Sequence, residues 1–194
     1  MLRLLPEAPA HVPARERLLD RCFGLERQLK TCQMLRHGQQ PAAGLAVSLL
    51  DGGRQIGTAR FWHITAGSAG DALLLGPVAV MPARQGEGLG SMLVRHGVSA
   101  ARRLGHGSVL LVGDASYYAR FGFAAPATQQ LTLPGPVERE RFLGLELTPG
   151  ALLGARGAVT AGPLRPAADA TDFAALPLSL FTEHRSIPTH ATAR

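Results

Sequence analysis

The stretch Ala83–Ser91, ARQGEGLGS, concentrates groups suited to holding an anion. Gly86, Gly88 and Gly90 alternate there with Glu87 and Leu89, between an apolar run and a stretch with helical spacing. Glycine lets main-chain N–H groups approach a ligand closely and takes φ > 0 without strain. The first N–H groups of a helix have no intrahelical partner, and the helix dipole is positive at that end. Phosphate oxygens satisfy both, and Arg84 adds a charge-assisted donor at the rim. The loop therefore fits a pyrophosphate; the structural alternative is a tight turn that only packs a helix on a sheet. Three further side chains could move protons: the Tyr118 hydroxyl, the His63 imidazole and the Asp114 carboxylate.

Better-known phosphate loops fit less well. A Walker loop needs Gly-Lys-Ser/Thr, and Lys30 is the only lysine in the chain. The dinucleotide fingerprint places its first glycine at the strand end and a third at the sixth position. Here Met81–Gln85 intervene, and the sixth position from Gly86 is Ser91. The seven histidines show no metal spacing, so no metal is expected. No Gly-x-Ser-x-Gly elbow suggests a hydrolase.

The elements that must position these groups follow from periodicity and turn residues. Pro13–Phe23 reads as a helix before Gly24, and Leu25–Arg36 as a second. Two apolar runs, Gly44–Leu50 and Arg54–Ile64, flank Asp51-Gly52-Gly53, a hairpin signal. Ala72–Val80 is a buried strand, Gly88–Leu104 a helix ended by Gly105, and Ser108–Val112 a second buried strand. A short helix closed by Gly122 and a strand with its turn within Phe142–Gly154 complete the order. That order is a mixed α/β domain around one central sheet, assigned to residues 1–162. Residues 163–194 shift to Pro, Ala and Thr and read as a loosely ordered tail in which FAALPLSLF could dock on the body.

The strand before the loop carries a second clue. Gly76-Pro77 interrupts it, and a proline inside a sheet marks a bulge. A bulge there bends the strand away from its neighbour, expected to be Ser108–Val112. The gap exposes unpaired N–H and C=O groups that an amide-bearing ligand could fill like an extra strand. A ligand with a peptide-like arm and a pyrophosphate matches coenzyme A, the arm being pantetheine.

Here the residues resemble the GCN5-related N-acetyltransferase (GNAT) superfamily. Its signature, Gln/Arg-x-x-Gly-x-Gly/Ala after the fourth strand, matches Gln85-Gly86-Glu87-Gly88-Leu89-Gly90 in register. Its second landmark, a tyrosine four residues before a Gly-Phe pair, matches Tyr118 and Gly122-Phe123. The combination is especially similar to a YhbS-like bacterial branch of predicted acetyltransferases. The resemblance is strongest over Leu73–Phe123, extends more weakly over Arg15–Leu153, and does not reach the tail. It implies a GNAT-type acyl-CoA N-acyltransferase fold: a twisted mixed sheet, splayed between its fourth and fifth strands and flanked by helices. It implies that the main chain of Val78, Ala79 and Val80 bonds pantetheine. The N–H groups of Gln85, Gly86, Glu87, Gly88, Leu89, Gly90 and Ser91, with Arg84 at the rim, would hold the pyrophosphate. Tyr118 would sit near the thioester sulfur.

The chemistry implied is direct attack of a neutral amine on acetyl-CoA, with both substrates bound. Val80 N–H is the candidate donor to the developing oxyanion, and Tyr118 the candidate acid for the leaving thiolate; the alternative for Tyr118 is a buried aromatic with a satisfied hydroxyl. Tyr117 and Phe121 read as core or wall residues, and Trp62 as core or a cleft wall. The base is open. Many family members carry a glutamate on the fourth strand, but Leu73–Val80 has no ionisable residue. His63 and Asp114 are candidates; a structural role for His63 and helix capping for Asp114 are the plainer readings. A neutral amine or a water chain needs neither. The alternative function is a catalytically silent CoA-binding regulatory module. Acceptor-pocket loops are expected around Gln28–Pro41 and Gln129–Arg141.

Composition sets the remaining expectations. The chain has 194 residues, 46% of them hydrophobic, and a formal charge of +6 carried almost wholly by arginine. That suits one globular domain with anionic partners. The arginines are scattered without aromatic interleaving, which favours a small anionic ligand over nucleic acid. No apolar run approaches the ~18 residues of a membrane span, and residues 1–10 carry no signal-peptide pattern. Two cysteines, Cys22 and Cys32, form no disulfide framework. A cytoplasmic monomer or homodimer is expected.

Overall fold

The computed structural model describes residues 1–163; the expected tail beyond Pro163, with its FAALPLSLF segment, lies outside the described residues. Eight strands form the sheet: β1 (Leu2–Pro6), β2 (Ala46–Asp51), β3 (Arg54–Ala66), β4 (Asp71–Val80), β5 (Ser108–Val112), β6 (Gln130–Thr132), β7 (Phe142–Glu146) and β8 (Arg156–Ala161). Four helices join them: α1 (Val12–Phe23), α2 (Thr31–Arg36), α3 (Leu89–Arg103) and α4 (Ala115–Ala119). The main path runs β1-β2-β3-β4-β5-β7, and β8 bridges β3 to β6. β4 and β5 are parallel, while the other pairs on the main path are antiparallel.

The sheet is buried on both faces, and the period-2 alternation of its central strands shows why. Phe61, Leu73, Leu75, Val109 and Leu111 pack with Val94, Val98 and Ala101 of α3. Trp62, Ile64, Leu74 and Leu110 point the other way, into a second cluster with Phe142 and Val159. α1 lays Leu18 and Leu19 against Ala79. Gly52 and Gly53 have φ of 54° and 84°, the two positive values that a two-residue hairpin turn requires, and Asp51 pairs with Arg54 across it.

One expectation is corrected, and two strands add to those expected. Leu25–Arg36 is not one helix: a 3₁₀ turn over Leu25–Leu29 ends at extended Lys30, and α2 begins at Thr31. Leu25 and Leu29 are exposed, so this segment has no apolar stripe to bury. β1 escaped notice because LRLLP lacks alternation, yet it edges the sheet beside β2 and makes β4 the fourth strand. β8 escaped because Val159 is its only buried residue.

Candidate active site

The sheet opens where the sequence places Gly76-Pro77. β4 and β5 pair only at Leu73↔Val109 and Leu74↔Leu110. On the other edge of β4, Phe61 pairs with Leu75 and Ala59 with Val78, so Gly76 and Pro77 together face the single residue Arg60. This is a bulge, and it shifts the phase of the strand by one residue. Met81 N–H bonds Ile56 O of β3 at 2.8 Å. Alternation then turns the main-chain groups of Ala79 towards β3 and those of Val78 and Val80 into the gap. Val80 O accepts from Cys22 Sγ (3.3 Å) and Gln85 Nε2 (3.1 Å) on that side. Trp62 Nε1 donates to Gly76 O at 2.5 Å and fastens the bulge from below.

Beyond β4 the glycine loop leads into α3. Gly86 and Gly88 have φ of 85° and 79°, and Gly88 caps the helix, its carbonyl accepting from Met92 N–H at 3.0 Å. Leu89, Gly90 and Ser91 occupy the first turn, where N–H groups lack intrahelical acceptors. Tyr117 Oη lies 3.5 Å from Ser91 Oγ, so this ring abuts the loop. Arg84 is engaged at the rim: Nε bonds Glu87 Oε1 at 2.6 Å and Nη1 bonds Asp51 Oδ2 at 2.7 Å. Asp51 also accepts from the Met1 ammonium at 3.0 Å.

A cavity of about 730 Å³ opens onto the parted strands from the α1 side. Leu75, Gly76, Pro77 and Val78 form its sheet wall, and Val112, Gly113 and Tyr118 the opposite side. Both expected acceptor loops reach it, through Lys30–Gln33 with Arg36 and through Pro136–Glu138 with Arg141. The loops touch where Thr31 Oγ1 donates to Pro136 O at 2.7 Å. Trp62 is both buried and a cavity wall.

The titratable candidates fall in different places. Tyr118 lines the cavity, packed against Phe121 and Phe123. Burial, helped by neighbouring Tyr117, pushes its hydroxyl up to about 12, so it stays protonated at neutral pH. Its ring lies over Gly113, where an added Cβ would sit 2.3 Å from Tyr118 Cε2. Asp114 also lines the cavity but caps α4, accepting from Ser116 Oγ (2.5 Å) and Tyr117 N–H (2.6 Å). Those bonds hold its carboxyl below the usual range. His63 is elsewhere: it shares the α3 face with Phe61, its ring 5.6 Å from that of His106. Val80, Gln85 and the glycine loop lie past the cavity, along the strand; Val78 is the gap-facing residue in its wall. The sequence did not single out Arg36 and Arg60, which line the same cavity; they come from distant segments, and no local motif marks them.

A fork between two parallel strands, with main-chain groups turned into it and a glycine loop opening the next helix, defines an acyl-CoA N-acyltransferase fold. The chain belongs to the acetyltransferase (GNAT) family, whose model matches residues 13–123. It is similar to the uncharacterized N-acetyltransferase YhbS of Escherichia coli K12, with 30% identity over 154 residues, 79% of this chain and 92% of that protein. Among solved structures, it resembles E. coli YhbS in complex with CoA (TM-score 0.70, 28% identity, 83% of this chain and 88% of that one). It also resembles a GNAT family acetyltransferase from Brucella melitensis in complex with acetyl-CoA (TM-score 0.59, 26% identity, 87% and 94%). Among the described residues no cluster of His, Cys, Asp and Glu could hold a metal ion, and no helix is long and apolar enough to cross a membrane.

Proposed function

We propose that this chain transfers an acetyl group from acetyl-CoA to a primary amine, with both substrates bound at once. The observation that carries the reading is the cavity opening onto the parted β4–β5 fork beside Tyr118. Coenzyme A fits the residues present: the gap-facing groups of Val78 and Val80 suit the amides of pantetheine, and the first turn of α3 with its glycine loop suits the diphosphate. When bound, acetyl-CoA supplies an activated thioester.

The chain's own groups then have distinct tasks. The Val78 N–H, in the cavity wall, is a better placed donor to the carbonyl oxygen than Val80, which lies past the cavity next to the loop. As the amine nitrogen becomes an amide it loses one proton, and the departing sulfur gains one. Tyr118, held protonated, donates towards that sulfur. None of the three carboxylates at the wall suits a base: Glu138 is exposed and faces Arg141 at 4.0 Å. Asp114 is hydrogen-bonded into its cap; burial opposes ionisation of Glu16, but bonds from Arg15 and Arg27 outweigh it and hold Glu16 below the usual range. The amine therefore enters as the neutral species.

The test is free-thiol release from acetyl-CoA across a panel of amines, with initial rates measured against both substrates. Intersecting double-reciprocal lines support the ternary complex, and parallel lines contradict it. Tight CoA binding without thiol release from any amine supports instead the silent CoA-binding module, which the missing base keeps in view.

A further inference from the structure

Arg36, the last residue of α2, is the one cavity-wall arginine without a carboxylate partner among the described residues. Its neighbours are matched: Arg27 Nε bonds Asp20 at 2.8 Å, Arg60 Nη2 lies 3.3 Å from Glu7, and Arg141 Nη1 lies 4.0 Å from Glu138. Arg36 Nε and Arg60 Nε are both buried without a hydrogen-bond partner. Arg36 Nη2 would be 3.0 Å from a Cβ built on Gly76, which puts this guanidinium over the bulge that parts the strands. Arg60 continues the patch, its Cζ 4.6 Å above the Trp62 ring. A guanidinium drawn from water and within reach of a second cation, as Arg36 is of Arg60, is costly unless an anion joins it. Burial pulls both below the usual arginine range, Arg60 to about 10.

The diphosphate of the cosubstrate is not that anion. From Gly76 to the end of β4 at Val80 the strand rises ~13 Å, at roughly 3.3 Å per residue, and the glycine loop lies further still. We propose that Arg36, with Arg60 beside it, binds an oxyanion of the acceptor, and that the acceptor is a small amino acid-like amine. Arg36 sits over Gly76, and Val78 N–H is two residues along. That short span leaves only a few bonds between the amine and its charged group. A carboxylate matches the planar guanidinium in paired hydrogen bonds; a phosphonate offers three acceptor oxygens and a charge between about −1 and −2. This rests on the acetyl-transfer reading of the cavity.

Trp62, the only tryptophan in the chain, reports on the site. The full chain, saturated with CoA, is titrated with N-acetyl amino acids, their carboxamides and N-acetyl aminomethylphosphonate, following Trp62 fluorescence. At least one carboxylate is expected to bind ten-fold or more tighter than its carboxamide, and the phosphonate arm shows which oxyanion is preferred. Arg36→Gln is expected to weaken the carboxylate ten-fold or more and leave the carboxamide unchanged, with Arg36→Lys intermediate and the thermal melt checking the fold. Equal binding of every carboxylate and carboxamide pair to the unmodified chain overturns the proposal without any variant, as does undiminished carboxylate binding by folded Arg36→Gln. Thiol release from amino acids and their amides separates the two readings. Equal release keeps acetyl transfer and removes the subsite; selective carboxylate binding with no release from any amine keeps the subsite and removes acetyl transfer.

Discussion

Replacing Tyr118 by phenylalanine removes one oxygen from the cavity wall and little else. The ring contacts with Phe121 (centroids 6.2 Å apart) and Phe123 (5.8 Å) survive, so the fold and the CoA fork should be intact. The size of the effect follows from proton affinities. The hydroxyl is pushed up to about 12, whereas an ordinary thiol titrates near ~8.5. Full proton transfer from tyrosine to thiolate is thus uphill by roughly 3.5 pK units, or ~5 kcal/mol. On the proposed mechanism Tyr118 therefore acts mainly by donating a hydrogen bond to the sulfur. The loss should fall at the low end of general-acid effects, about 100-fold in kcat, or ~2.7 kcal/mol. The assay is thiol release at saturating acetyl-CoA, paired with calorimetric CoA binding, which should change by less than ~3-fold. Gly113→Ala tests the same placement differently, since its Cβ would fall 2.3 Å from the Tyr118 ring and force it aside; it should lower kcat while CoA still binds. Turnover by Tyr118→Phe within a factor of three of the unmodified chain would refute the assigned role.

Three other outcomes follow from the same geometry. On the proposed entry of a neutral amine, kcat/KM should rise ten-fold per pH unit up to the pKa of the acceptor amine, and Tyr118 should add no alkaline loss below about pH 10; a profile level below that amine pKa would reveal a base. Glu7 holds both Arg15 and Arg60 from a nearly buried position, so Glu7→Gln leaves Arg60 without its carboxylate and Arg15 with Glu16 alone. It should cost about 3 kcal/mol or more, seen as a fall of roughly 6–12 °C in the melting temperature; an unchanged melt would show the charges to be solvated. Gly97 lets α3 press on β3, because an added Cβ would sit 2.3 Å from Phe61 Cε2. Gly97→Ala should destabilise by ~1–3 kcal/mol through overpacking, and a denaturant midpoint equal to that of the unmodified chain would contradict it.

The parts of the fold legible in the sequence are those with a strong local signal. Gly76-Pro77 inside an apolar run announced the bulge, and alternate glycines before a helical stripe announced the loop. Asp51-Gly52-Gly53 announced the hairpin. β1 and β8 carry no comparable signature, because strands with one buried residue or none need not alternate. Of the candidate site, the parting of the strands was legible, and Tyr118 does line the cavity that opens there. Its charge was not: Arg36 from α2 and Arg60 from β3 meet only in three dimensions. The phase of β4 was likewise hidden, since the bulge decides which of Val78, Ala79 and Val80 face the gap.

The central claim is that the fork between β4 and β5 is where coenzyme A lies, and amide hydrogen exchange across β4 tests it most directly. Without ligand, Val78 and Val80 N–H should exchange fast and Ala79 N–H, turned towards β3, slowly. Adding acetyl-CoA should slow Val78 and Val80 and leave Ala79 as it was. Unchanged exchange at Val78 and Val80 under saturating acetyl-CoA would contradict it.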